Sequence, residues 1–210
     1  MNKDRVTFAS EYDGLPINTD VDQKQGCHEK ILDRIKDNFD YMTEHHNKIF
    51  FMRYDVRFPA DNCDHPDNRT FRDFNANLLK NLNRQGLDPH SVWVREQSRE
   101  KHQHYHGILL MDGNKIQSTH NPIRKAEELW AKALDLPADH AKGLVDDCTK
   151  GRDGSVQKNG VMMRKDDPQY HEKVKQCFHW ASYLAKDNTK DKRLDGVRSF
   201  GASRIPNSKG

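Results

Sequence analysis

The chain has 210 residues, 34% of them hydrophobic and 32% charged, with a formal net charge of +3. That length suits one well-buried domain with peripheral extensions, and so polar a composition leaves it an economical core. Because no apolar run approaches the roughly 20 residues of a membrane span, and the opening Met1-Asn2-Lys3-Asp4 lacks the basic-then-apolar order of a secretory signal, the expectation is a cytoplasmic protein with no membrane partner.

Residues 1–20 show no periodicity and read as an arm. Ile31, Ile35, Phe39 and Met42 then repeat at helical spacing, which predicts an amphipathic helix over about 22–45. Ile49 to Phe58 reads as a strand stopped by Pro59, and its continuously apolar first half suggests a central position. A helix over 70–85 follows, with Phe71, Phe74, Leu78 and Leu82 on one stripe and Gly86 as its stop. Ser91–Glu96 and 102–111 form two strands joined by a polar turn, a hairpin by sequence. Asn121-Pro122 has the order that starts helices, and Ile123, Trp130, Ala133 and Leu134 give that helix a buried face up to Pro137. Short strands at 143–148 and 160–164 precede a last helix from about Pro168 to Lys186. This order predicts an α+β fold: a single domain with a central, mainly antiparallel five-stranded sheet flanked by helices. The chain divides into an N-terminal arm and helix (1–44), a main domain (45–187) and a C-terminal tail (188–210).

Cys27, Cys63, Cys148 and Cys177 lie far apart with no C-x-x-C pair, which argues against a disulfide scaffold or a zinc knuckle and for reduced thiols. Residues 186–210 hold seven Lys/Arg against three Asp, so the basic excess is terminal. Such a tail suits a nucleic-acid arm or a solvated end.

The densest chemistry is His102-Gln103-His104-Tyr105-His106-Gly107, three histidines at alternate positions of a strand, all facing one way. If hairpin partners sum to about 200, Glu96 sits opposite His104 and diagonal to His106, with Cβ atoms roughly 5 and 7 Å away. Two imidazoles and a carboxylate then converge. Val92, Val94, Ile108 and Leu110 share that parity, so the face is polar at the turn and apolar further in. A His/His/Glu set leaves open coordination positions and suits Mn²⁺; Mg²⁺ fits where phosphate oxygens complete the shell, and the same set also serves zinc. His102 shares the parity and could serve as a ligand, but at the turn it reads as a solvated or DNA-facing residue, while Tyr105 points to the other face.

On the last helix, Val174, Cys177, Phe178, Ala181, Leu184 and Ala185 form the buried stripe, and Tyr183 points almost opposite. His179 at i−4 and Lys186 at i+3 neighbour it. A phenol with an ordinary pKa near 10 needs a nearby cation, metal or base to act as a nucleophile, and Lys186 supplies a charge that either assists the phenolate or binds phosphate.

Glu96, His104-Tyr105-His106 and Tyr183-Leu184-Ala185-Lys186, in this order, resemble the three-part signature of HUH-superfamily endonucleases, the single-tyrosine initiators of rolling-circle replication. Phe50 to Asp55 looks like their first motif, and the whole is similar to the inovirus gene-two-product family of phage and prophage replication proteins over roughly residues 45–200. The resemblance implies an RRM/ferredoxin-like palm and a divalent ion, Mn²⁺ or Mg²⁺, held by His104, His106 and Glu96. It also implies attack by Tyr183 on single-stranded or hairpin origin DNA, giving a 5′-phosphotyrosyl adduct and a free 3′-hydroxyl, with Lys186 assisting. Arg53, Arg95, Lys101, His102, Lys190, Lys192, Arg193, Arg198 and Arg204 are the candidate DNA contacts. No G-x-x-x-x-G-K-[ST] is present, so no nucleotide cofactor is expected and unwinding falls to a host helicase and polymerase. Two other readings stay open: a non-catalytic origin-binding or regulatory DNA-binding protein, and a metallohydrolase using water as nucleophile.

Overall fold

A computed structural model describes residues 5–59, 67–98, 101–151, 154–187 and 197–206. The arm carries four two-residue strands: β1 (Val6–Thr7), β2 (Glu11–Tyr12), β3 (Leu15–Pro16) and β4 (Cys27–His28), pairing β1 with β4 and β2 with β3. Then come α1 (Glu29–His45), β5 (Lys48–Arg57), α2 (Arg69–Arg84), β6 (His90–Ser98) and β7 (Lys101–Asp112). The chain closes with α3 (His120–Ala133), β8 (Val145–Asp146), β9 (Val161–Arg164), α4 (Tyr170–Ser182) and β10 (Phe200–Ala202). Every helix and longer strand read from the sequence is found, but α1 starts at Glu29 rather than near 22. The preceding residues are spent on β4 and on a turn in which Lys24 takes φ +52°.

The main sheet is antiparallel throughout and has six strands rather than five. Its order is β10-β6-β7-β5-β8, with β9 pairing further along the same edge of β5 as β8. The sixth strand is β10, inside the stretch read as a tail; Phe200, Gly201 and Ala202 pair with Val94, Trp93 and Val92. Gly201 is required there because a Cβ would enter the Trp93 indole, 2.6 Å from its ring atoms.

Each face of the sheet is covered by two helices. Ile49, Phe51, Val92, Val94, Ile108 and Leu110 pack under α1 and α4, against Ile35, Phe39, Phe178 and Ala181. The alternate residues, Phe50, Met52, Tyr54, Trp93, Tyr105 and Leu109, pack under α2 and α3, against Phe71, Phe74, Leu78 and Trp130. This is the period of two of a sheet buried on both sides, each large apolar side chain adding roughly 1.5–3 kcal/mol. Cys148 and Cys177 are free thiols, the buried Cys27 Sγ lies against the Asn18 and Ser182 carbonyls, and Cys63 lies outside the described residues. Among the described residues no helix is long and apolar enough to cross a membrane.

Candidate metal centre and nucleophile

The β6–β7 register places Glu96 opposite His104 and Val94 opposite His106, the pairing expected from the sequence. On the next strand over, Asp55 of β5 lies opposite His106. Gly107 follows His106 for a steric reason: a Cβ there would collide with the Tyr54 ring that crosses the strand.

Glu96 Oε2 lies 3.2 Å from His106 Nε2 and 3.5 Å from His104 Nε2. The three residues each turn one donor atom inward, all within 4.8 Å of one another. Two ligands of a single divalent ion stand roughly 3–4 Å apart, so small side-chain adjustments would bring this set onto one cation. His106 Nδ1 is 2.6 Å from Asp55 Oδ1. A carboxylate only accepts, so in the ion-free cluster both ring nitrogens carry protons, Nδ1 toward Asp55 and Nε2 toward Glu96; when the Nε2 proton leaves, the Asp55 bond keeps the other on Nδ1 and turns the Nε2 lone pair to the cluster, the arrangement that orients metal-binding histidines. Burial disfavours a charged imidazole here, but the hydrogen bonds to Asp55 and Glu96 outweigh it and raise the His106 pKa to about 9. Sequence patterning passed over Asp55, although it shares the alternation of Ile49, Phe51 and Arg53 that faces the site.

Helix α4 ends at Ser182, and Tyr183–Ala185 tighten into a 3₁₀ turn. Cys177, Phe178, Ala181, Leu184 and Ala185 are buried, as the stripe requires, while Tyr183 is 38% exposed. Its ring stands edge-on to His106 with centroids 5.9 Å apart, and Lys186 Nζ lies 5.3 Å from the centre of the Tyr183 ring. Glu96, His104, His106, Tyr183 and Lys186 are thus gathered on one face of the sheet. His179, one turn back, has its pKa lowered by burial and by the Lys186 charge.

The candidate DNA contacts fare differently. Arg95 is 3% exposed and lies on the opposite face, where its Nη2 donates to Gln103 Oε1 at 3.0 Å. This corrects its reading as a surface phosphate contact: odd-numbered β6 residues face the α2–α3 core. Arg53 is on the site face but donates to the Lys158 carbonyl at 3.0 Å and lies 5.4 Å from the Trp180 ring, so it braces the segment after β8. Arg198 and Arg204 are exposed. Lys101 and His102 lie on β7, their side chains outside the description, and Lys190, Lys192 and Arg193 lie outside the described residues.

Residues 15–203 match the family model of the YagK/YfjJ C-terminal domain, so the chain belongs to that family. It is also similar to the uncharacterized protein YfjJ of Escherichia coli (strain K12), with 27% identity over an alignment covering 87% of this chain and 98% of that protein. No solved structure matches it.

Proposed function

We propose that this protein is a metal-dependent, sequence-specific nickase and ligase of single-stranded DNA, acting in replication of a phage, plasmid or satellite element. The observation that carries the reading is the exposed Tyr183 ring 5.9 Å from His106, on the face where Glu96, His104 and His106 converge. A β-α-β-β-α-β order runs from β5 to β8, with both connecting helices on one side, and supports the ferredoxin-like palm of the HUH resemblance.

Glu96, His104 and His106 would hold the divalent ion, Mn²⁺ or Mg²⁺, which when bound would supply Lewis-acid charge for a phosphodiester. Tyr183 Oη bonds to phosphorus while the bond from phosphorus to the 3′ oxygen breaks; the phenol proton leaves and the 3′ oxygen takes one up. The product is a 5′-phosphotyrosyl ester whose energy is kept for rejoining. Asp55 fixes the His106 tautomer, and the 3₁₀ turn after α4 holds the phenol toward the cluster, a positioning contribution. Lys186 adds positive charge beside the ring.

The test is incubation with Mn²⁺ and single-stranded oligonucleotides tiling the DNA around the coding region. A covalent adduct that forms with the wild type and is lost in Tyr183→Phe is expected. Turnover retained in Tyr183→Phe would instead indicate water as the nucleophile. Salt-sensitive binding without cleavage under any metal would indicate a regulatory DNA-binding protein.

A further inference from the structure

The turn that carries Tyr183 is bracketed on both sides by the N-terminal arm, which the sequence had set apart from the main domain. Before the turn, Asn18 N–H donates to Ser182 Oγ at 2.7 Å, and Ser182 Oγ donates to the His179 carbonyl at 2.7 Å. After it, the Asp187 N–H donates to the Gly26 carbonyl at 3.0 Å, Lys186 bridges Cys27 through the backbone, and Asp187 Oδ1 lies 2.9 Å from His28 Nε2. Gly26 lets the arm come this close: a Cβ would strike Val6 and the Thr7 carbonyl.

One side chain of this clamp reaches the functional group itself. Lys186 Nζ donates to Gln25 Oε1 at 3.0 Å. The Gln25 amide is in turn held by its own Nε2, which donates to Gln23 Oε1 at 2.8 Å, and its backbone exchanges two hydrogen bonds with Asp20, at 2.9 and 2.7 Å. The acceptor is thus tied at its backbone and at its amide nitrogen as well as by Lys186. A lysine has four rotatable bonds, and holding its ammonium beside an aromatic ring costs side-chain entropy unless a built acceptor receives it.

We infer that Gln25 is a positioning residue for the Tyr183 step: it holds the Lys186 ammonium over the tyrosine ring, and the arm from Asn18 to His28 mounts the nucleophile's turn. This rests on the reading of Tyr183 as nucleophile. The ammonium then has two duties in one place. It attracts the ring and restrains its swing, and it sets a positive charge where the phosphate must approach the phenol. In Gln25→Ala the Lys186 ammonium loses this acceptor while the Glu96–His104–His106 cluster keeps its own contacts, because the hydrogen bonds of Gln25 among the described residues run to Lys186, Gln23 and Asp20.

The test pairs a spectroscopic readout with a rate. Lysines are reductively methylated with ¹³C-formaldehyde, and the Lys186 resonance is identified by its loss in Lys186→Arg. In the wild type this line is displaced from the exposed lysines by the Tyr183 ring current; in Gln25→Ala it collapses onto them, and in Gln25→Glu, which keeps an acceptor oxygen, it stays displaced. With Mn²⁺ and the tiled oligonucleotides, Gln25→Ala slows adduct formation by roughly 10- to 100-fold at unchanged DNA affinity. A Lys186 line that does not move in Gln25→Ala overturns the inference whatever the activity, and so does a line that moves without any loss of rate. Absence of an adduct in the wild type, with the Lys186 line still displaced, overturns the nucleophile reading instead and is recognisable as such.

Discussion

At the turn end of the β6–β7 hairpin, neighbouring residues face opposite ways into two polar clusters of similar size and contrary logic. Under α2, Arg95 donates to Gln103, Gln103 to the Tyr105 hydroxyl at 2.6 Å, and that hydroxyl to Asn68 Oδ1 at 2.8 Å. Asn68 donates on to the Arg198 carbonyl at 2.6 Å. Along this run each donor meets the next group's acceptor, and Tyr105 is stacked on Phe71 with centroids 3.7 Å apart. On the other face, Glu96, His104 and His106 turn donor atoms toward one another instead of away in series. Converging lone pairs repel unless something positive stands between them, which makes that cluster a candidate receptor for a cation or a proton. The first arrangement is structural; the second asks for a ligand.

Substitutions on the receptor face break function first. Tyr183→Phe removes the proposed nucleophile and is expected to lower adduct formation more than about 1,000-fold while leaving Mn²⁺ affinity unchanged, measured by denaturing gel and by calorimetry. His106→Ala takes one of three donors and is expected to weaken Mn²⁺ binding by at least about 100-fold. Asp55→Asn keeps the shape but loses the charge that fixes the ring, and should cost roughly 10- to 100-fold in the same titration. If Asp55→Asn binds Mn²⁺ as tightly as the wild type, the carboxylate has no orienting role. The same titration run against pH has a definite sign. The proton held by His106 up to about pH 9 competes with the ion for Nε2, so affinity should fall on acidification, by up to about tenfold per pH unit.

The closed face answers differently. Tyr105→Phe leaves Gln103 Nε2 and Asn68 Oδ1 without their hydroxyl partner inside the core, which costs about 1–3 kcal/mol of folding stability. Mn²⁺ affinity should be unchanged, since the lost hydroxyl points away from the receptor. A Tyr105→Phe protein with native thermal stability but weakened metal binding would erase the distinction between the faces.

Much of this contrast was legible in the sequence. The alternation of His104, Tyr105 and His106, with Glu96 eight residues ahead of His104, gave the register and the division of faces, because strand parity is a local property. The helical stripe through Cys177, Phe178, Ala181 and Leu184 likewise gave the outward direction of Tyr183. What escaped was non-local. Asp55 joins the cluster only because β5 lies beside β7, Gln25 reaches Lys186 across 161 positions, and Arg95 looked like a surface charge until its parity was read against the covered face. Phe200–Ala202 holds one large apolar residue, too little pattern to announce a strand, and exists as β10 through its pairing with Val92, Trp93 and Val94.

Arg198 joins the two faces' arguments at their smallest scale. Its backbone carbonyl ends the buried chain by accepting from Asn68, while its side chain is exposed. Arg198→Ala keeps the carbonyl, so stability should move by no more than about 0.5 kcal/mol, the usual range for a surface substitution. If the guanidinium meets a DNA phosphate, the slope of log affinity against log salt should fall by about 1, uniformly across sequences. An unchanged slope would leave Arg198 with its backbone role alone, and would move the electrostatic contact with DNA away from this edge of the sheet.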